Sequence, residues 1–67
     1  MGQEGVIVLN LKIKRIERGF KQYEFANMLN ITPQYLRLIE VGKVDPRISI
    51  LVKASKLLNV SIEELLN

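Results

Sequence analysis

The side chains that can do chemistry in this chain are acids, amides, hydroxyls and bases, because the sequence has no cysteine and no histidine. Structural zinc sites are built on those two residue types, so a zinc centre is excluded. Ser-His-Asp and Cys-His catalysis cannot be assembled without histidine. The seven acids that remain are of a type that usually lies on the solvated surface. We therefore expect no enzyme, no metal and no cofactor.

The basic residues are concentrated in one part of the chain. The net charge is +3, and residues 12–47 contribute +4 through eight bases and four acids. Residues 1–11 contribute −1, and residues 48–67 contribute zero. The four glycines are too scattered to form a phosphate-binding loop. A localised basic excess favours contact with a polyanion such as nucleic acid.

Length and hydropathy indicate one small domain. The chain has 67 residues, 48% of them hydrophobic, which is enough for a compact core. The longest apolar run covers only residues 6–9, whereas a membrane helix needs about 20 apolar residues. We expect a cytoplasmic protein with no membrane contact and no second domain. Residues 1–8 should form a tail or a short strand, and residues 9–67 the domain.

Apolar spacing and capping residues predict five helices joined by short loops. Asn10 is the expected cap of the first helix, which should end before Gly19. The apolar stripe of that helix is predicted to consist of Leu9, Ile13, Ile16 and Phe20.

The second and third helices are the most clearly marked. The second covers Gln22–Leu29, and Asn30 then suits a positive φ. Thr32 is a good cap and Pro33 a good first residue for a third helix over 33–41. The residues expected to face the core are Phe25, Ala26, Leu29, Leu36 and Ile39.

The remaining helices complete an all-α domain. Gly42 ends the third helix, residues 43–46 form a turn, and a fourth helix covers Ile48–Leu58. Ser61 and Glu64 have the spacing of a capping box, which predicts a short fifth helix to the end of the chain.

Helices two and three meet the requirements of a helix-turn-helix, in which a short turn joins two crossing helices. Ala26 supplies a small residue at the crossing, Asn30 accepts a positive φ in the turn, and Leu36 faces back. These residues are separated by four and then six positions, which is the spacing that the motif needs.

With these residues in place, the chain resembles the phage repressor/Cro-type helix-turn-helix family, also called the XRE family. The resemblance covers nearly the whole chain after Leu9, and residues 58–61 also resemble a family segment. The other positions that match the family pattern are Leu11, Arg15, Gly19, Phe20, Lys21, Gln22, Phe25, Ala26, Asn30, Ile31, Thr32, Leu36, Glu40, Gly42 and Pro46. The resemblance implies a compact five-helix DNA-binding fold like that of lambda repressor.

The resemblance also implies individual roles. Arg15 and Glu40 match an internal ion pair that joins helix one to the end of helix three. Gln22 matches a glutamine that contacts a DNA phosphate and steadies the recognition helix. Helix three matches the recognition helix, which enters the major groove of DNA.

Exposed positions of helix three are the expected base contacts. Gln34 suits adenine N6 and N7, and Arg37 suits guanine O6 and N7 or a phosphate. The full set of expected base contacts is Thr32, Pro33, Gln34, Arg37 and Leu38. The expected phosphate contacts are Lys21, Gln22, Tyr23, Lys43 and Arg47.

Several of these positions depart from the family pattern. Lys21 replaces the usual Ser or Thr cap of helix two, and Arg47 stands where a Ser often caps helix four. Pro33, Leu38 and Val41 are apolar where polar residues are usual, so contact at Pro33 would be with a thymine methyl group.

The resulting hypothesis is a homodimeric transcriptional regulator, expected to be a repressor, on an inverted-repeat DNA site. The C-terminal residues Ile62, Leu65 and Leu66 belong either to the core or to the dimer interface, which the resemblance implies lies at this end. We expect Ile62 to face inward and Leu66 to be shared with a partner chain. One alternative is an antitoxin that also binds a toxin or another regulatory protein. The other is a protein-interaction module that has lost DNA binding, which the apolar Leu38 and Val41 support.

Overall fold

The computed structural model describes residues 9–66 and contains only helices in that part of the chain. They are α1 (Leu9–Glu17), α2 (Gln22–Leu29), α3 (Pro33–Glu40), α4 (Ile48–Leu58) and α5 (Ile62–Leu66). The predicted all-α class is confirmed. The short strand considered for residues 1–8 lies outside the described residues.

The turns after α1, α2 and α3 each contain a residue with positive φ, as predicted for Gly19, Asn30 and Gly42. Asn30 has φ 64° and Gly19 has φ +82°. A Cβ added at Gly19 would meet no atom within 4 Å, so backbone conformation rather than space requires glycine there. Asn59 ends α4 in the same way, with φ 57°.

One core joins all five helices. α2 and α3 contribute the residues predicted to face inward, and α4 and α5 close the opposite side. The buried hydrophobic residues are Leu11, Phe25, Ala26, Leu29, Leu36, Ile39, Ile50, Leu51, Ala54, Leu58 and Leu65. Burial of these side chains contributes about 1.5–3 kcal/mol for each large aliphatic or aromatic residue.

The predicted apolar stripe of α1 is wrong. Ile13 and Ile16 are 46% and 57% exposed, whereas Leu11 and Arg15 are buried. Leu11 and Arg15 are four residues apart and therefore share a helix face, which points to the core. Phe20 is half-buried and packs against the core. The side chain of Leu9 lies outside the described residues.

Asn10 is not the cap of α1, because the helix already includes it. Its Nδ2 donates a hydrogen bond of 2.7 Å to the carbonyl oxygen of Glu64. The last carbonyl groups of a helix have no partner within the helix. The Asn10 amide satisfies one of them and ties α1 to α5.

The capping box of α5 is confirmed. Glu64 N–H donates to Ser61 Oγ at 3.1 Å, and Ser61 N–H donates to Glu64 Oε1 at 3.0 Å. On α4, Ile48 is 67% exposed and the core face begins at Ile50.

No helix in residues 9–66 is long and apolar enough to cross a membrane.

Candidate nucleic-acid interface

The outer face of α3 is polar and exposed. Gln34 and Arg37 are three residues apart, so their side chains lie on the same side of the helix, and both are exposed. On the opposite side Leu36 and Ile39 are fully buried. The helix therefore anchors one face in the core and presents an amide and a guanidinium group to solvent.

The N-terminus of α3 is fixed by its cap. Thr32 Oγ1 accepts a hydrogen bond of 3.1 Å from Tyr35 N–H, and Pro33 occupies the first helical turn. Because a hydroxyl is also a donor, Thr32 can still donate to an anion. Thr32 and Pro33 are exposed, and the positive end of the helix dipole lies beside them. These features make the N-terminal end of α3 suitable for contact with a polyanion.

The C-terminal half of α3 is more apolar. Leu38, one of the predicted base contacts, is half-buried, and Val41 directly after the helix is exposed. Such side chains suit methyl groups rather than hydrogen-bonding base edges. Polar and apolar contact groups therefore follow one another along the helix, with Pro33 before Gln34 and Leu38 after Arg37.

Arg15 and Glu40 form a bidentate ion pair beneath this surface. Arg15 Nε donates to Glu40 Oε2 at 2.7 Å, and Arg15 Nη2 donates to Glu40 Oε1 at 3.2 Å. The two side chains are only 7% and 1% exposed. Arg15 Nη1 also donates to the carbonyl oxygen of Phe20 at 2.9 Å. The pair thus joins α1, the turn after it and the last residue of α3.

Gln22 is a third member of this network. Its Nε2 donates to Glu40 Oε1 at 3.0 Å, so the start of α2 is tied to the end of α3. The Glu40 carboxylate accepts all three bonds, as an ionised acceptor-only group can. The sequence carries no local signal for this contact, since the two residues are 18 positions apart. One N–H and the carbonyl of the Gln22 amide remain for another partner.

The other candidate phosphate contacts are all exposed: Lys21, Tyr23, Lys43 and Arg47. Lys21 is the residue before α2 and makes no side-chain capping bond. Its N–H instead donates to Glu24 Oε1 at 2.9 Å. The ammonium group of Lys21 therefore takes no part in the cap at the positive end of α2.

The C-terminal residues predicted to form a dimer interface fall into different environments. Leu65 is 0% exposed and is part of the core of its own chain. The prediction that Leu65 lies in a dimer interface is therefore wrong, because its side chain has no surface left for a partner. Ile62 is half-buried, and Leu66 is 39% exposed.

Among the described residues, no group of three or more acidic residues could hold a metal ion.

A Helix-turn-helix family model matches residues 11–65, which includes α2, α3 and the ion pair. The chain belongs to this family. The resemblance to the phage repressor/Cro-type branch is thereby confirmed. The members of this family and the solved structures that resemble this chain are DNA-binding regulators rather than enzymes.

Within the family, one similar protein is the SPbeta prophage-derived uncharacterized HTH-type transcriptional regulator YonR of Bacillus subtilis (strain 168). It is 39% identical over 56 residues, which cover 84% of this chain and 52% of YonR. The chain therefore spans about half the length of this relative.

Two solved structures of SinR are also similar. A complex of the SinR and SinI proteins has a TM-score of 0.81 and 34% identity, covering 91% of this chain and 60% of that one. The second structure is a complex of DNA with SinR, the master regulator for biofilm formation. It has a TM-score of 0.77 and 34% identity. That match covers 87% of this chain and 94% of the other.

Proposed function

We propose that this protein is a sequence-specific DNA-binding transcriptional regulator that inserts α3 into the major groove. The observation that carries the proposal is the pair of exposed side chains, Gln34 and Arg37, on a helix whose other face is buried. An α-helix fits the major groove, and these two residue types pair with adenine and guanine there. We expect the regulator to act in the cytoplasm alongside its DNA.

Base contacts come from the cap residue Thr32 and from residues 33–38 of α3 in this proposal. Gln34 contacts adenine, Arg37 contacts guanine, and the hydroxyl of Thr32 contacts a base edge beside the start of α3. Pro33 and Leu38 contact thymine methyl groups. The similar structure of SinR in complex with DNA supports this function for the shared fold.

Phosphate contacts orient the helix on the duplex. Gln22, held by Glu40 at 3.0 Å, keeps one amide N–H for a phosphate oxygen. The remaining phosphate contacts that we propose are Lys21, Tyr23, Lys43 and Arg47. Because such contacts carry no sequence information, they set register and affinity rather than specificity.

We further propose a homodimer that represses transcription by occupying an inverted repeat. Leu66 is 39% exposed at the end of α5 and is the residue through which two copies would meet, beside Ile62. Leu66→Glu should then convert a dimer to a monomer in sedimentation equilibrium. Ile16→Glu is the matched control, since Ile16 is 57% exposed on a different helix. An unchanged mass for Leu66→Glu would contradict this interface.

A protein partner is the second candidate function. One similar structure is a complex of SinR with SinI protein, and Val41 is 53% exposed next to the half-buried Leu38. An antitoxin that binds a toxin, or another regulatory partner, would use such an apolar surface. Co-purification of a second protein, together with weak DNA binding that does not fall with salt, would favour it.

Selection from random duplex DNA at near-physiological salt tests the main proposal. Enrichment of an inverted repeat with half-sites about 10 bp apart would establish specific binding by a two-fold dimer. Binding that is salt-sensitive but without enrichment would contradict sequence-specific regulation.

A further inference from the structure

A second polar surface lies beside α3, and of its lining residues only Arg47 is among the DNA contacts proposed above. It is a groove of about 420 Å³ between the turn after α2, the first half of α3 and the start of α4. We call it the turn groove. Its polar lining residues are Asn30, Tyr35, Arg47, Ser49 and Lys53. A water molecule occupies about 30 Å³ in the liquid, so the groove has room for a tetrahedral anion.

The lining of the turn groove suits a phosphate. Arg47 and Lys53 supply two cations, and no acidic residue lines the groove. Tyr35 and Ser49 add hydroxyl groups, and Asn30 adds an amide. These are the donor types that bind phosphate oxygens in protein–DNA complexes. Arg47 and Lys53 are exposed, so a macromolecular anion can reach them.

The position of the groove separates it from the phosphate contact of Gln22. Gln22 begins α2, whereas Leu29 and Asn30 at the other end of α2 line the groove. Seven residues of helix at 1.5 Å each put these ends roughly 10 Å apart. A single phosphate group cannot span that distance. Tyr35 directly follows Gln34, so the groove lies against the same helix that we place in the major groove.

We propose that the turn groove binds a second DNA backbone phosphate, with Lys53 and Tyr35 as contacts in addition to Arg47. This inference rests on the proposed function. Gln22 and the turn groove then contact the duplex at opposite ends of α2. The helix-turn-helix is thereby clamped at two points, which fixes the angle at which α3 enters the major groove.

Lys53→Gln tests the proposal, with Lys56→Gln as matched control. Both lysines are exposed on α4, but only Lys53 lines the groove. Losing one phosphate contact on a duplex should reduce the slope of log K against log salt by about 0.9. That slope change corresponds to roughly eightfold weaker binding at 0.1 M salt. Lys56→Gln should leave the slope unchanged.

Tyr35→Phe separates the hydroxyl from the ring. The ring packs against the core, so this variant should keep its unfolding temperature and lose a few-fold in affinity.

The probe is the duplex recovered by selection, shortened stepwise from each end. Shortening from one end should abolish the difference between Lys53→Gln and the unmodified protein.

The outcomes separate the two proposals. Equal slopes and affinities for Lys53→Gln, Lys56→Gln and the unmodified protein would overturn the phosphate contact at the turn groove and leave the proposed function standing. An unmodified protein that binds no duplex would overturn the proposed function and this inference with it.

Discussion

Helices α1 and α3 each supply one partner of the buried ion pair, yet their apolar residues relate to the core in opposite ways. On α3, Leu36 is buried and Gln34 is exposed, as the period of a helix predicts. On α1, Ile13 and Ile16 are exposed while Arg15 is buried. Apolar periodicity fails to locate the core face of a helix when a charged residue occupies a core-facing position within it, as Arg15 does.

The difference arises from what the charged residue of each helix contacts. Glu40 is the last residue of α3, so its burial leaves the apolar stripe of that helix intact. Arg15 lies within α1 and takes a core-facing position directly. Its guanidinium has three hydrogen bonds, two to Glu40 and one to the Phe20 carbonyl. Such pairing offsets the cost of removing a charge from water.

Breaking the ion pair should have the largest effect on stability. Arg15→Met leaves the Glu40 carboxylate buried with only the Gln22 amide as partner. Loss of one partner of a buried pair costs about 3–5 kcal/mol in the free energy of unfolding, which urea denaturation measures.

The double variant Arg15→Met with Glu40→Leu is the control for this prediction. It removes both charges and should recover most of the loss, because an apolar pair of similar volume packs without a stranded charge. If Arg15→Met costs no more than Lys12→Met at an exposed site of α1, the ion pair does not organise the fold.

The two faces of α1 should also differ when their apolar residues are shortened. Leu11→Ala removes a fully buried side chain and should cost about 2–5 kcal/mol in the free energy of unfolding. Ile16→Ala, at 57% exposure, should change it by less than about 0.5 kcal/mol. A large cost for Ile16→Ala would mean that another molecule covers this face and would invalidate the comparison.

Local signals explain why α2 and α3 could be predicted from the sequence. Asn30, Thr32 and Pro33 determine backbone conformation through their own side chains, and the bounds of α2 agree with the prediction. Contacts between distant segments have no such signal. The bond from Asn10 to the Glu64 carbonyl spans 54 positions, and the predicted cap at Asn10 was wrong because α1 already begins at Leu9.

The candidate site likewise contains features that the sequence predicts and features that depend on contacts between distant segments. The exposure of Gln34 and Arg37 follows from helical period. The burial of Leu65 instead depends on how α5 packs against α1 and α4. The turn groove likewise joins residues from 29 to 53, and a pattern in sequence does not bring Lys53 to Tyr35.

The exposed face of α3 should tolerate substitution without loss of stability. Arg37→Ala should leave the unfolding free energy nearly unchanged and relax the preference at one base pair by about 1–3 kcal/mol. Selection followed by competition binding measures that preference. Arg18→Ala removes an exposed guanidinium from the turn after α1 and should leave the preference unchanged. If Arg37→Ala alters neither affinity nor preference, α3 does not enter the major groove as proposed.

The caps of α2 and α3 test whether a residue of this surface serves the stability of a helix or the binding of DNA. Thr32 caps α3 with its hydroxyl, whereas Lys21 precedes α2 with an extended backbone and no capping side chain. Lys21→Ser would complete a capping box with Glu24, which already accepts the Lys21 N–H at 2.9 Å. We expect a gain of about 1 kcal/mol in the free energy of unfolding.

The same substitution should weaken DNA binding, because the ammonium group that Lys21 offers to a phosphate is lost. The slope of log K against log salt should fall by about 0.9. A more stable variant with an unchanged slope would place Lys21 outside the interface. A variant with lower stability would mean that the lysine stem, rather than a cap, stabilises the start of α2. A gain in stability with a loss in affinity would show that the missing cap is the cost of a charge placed to meet DNA.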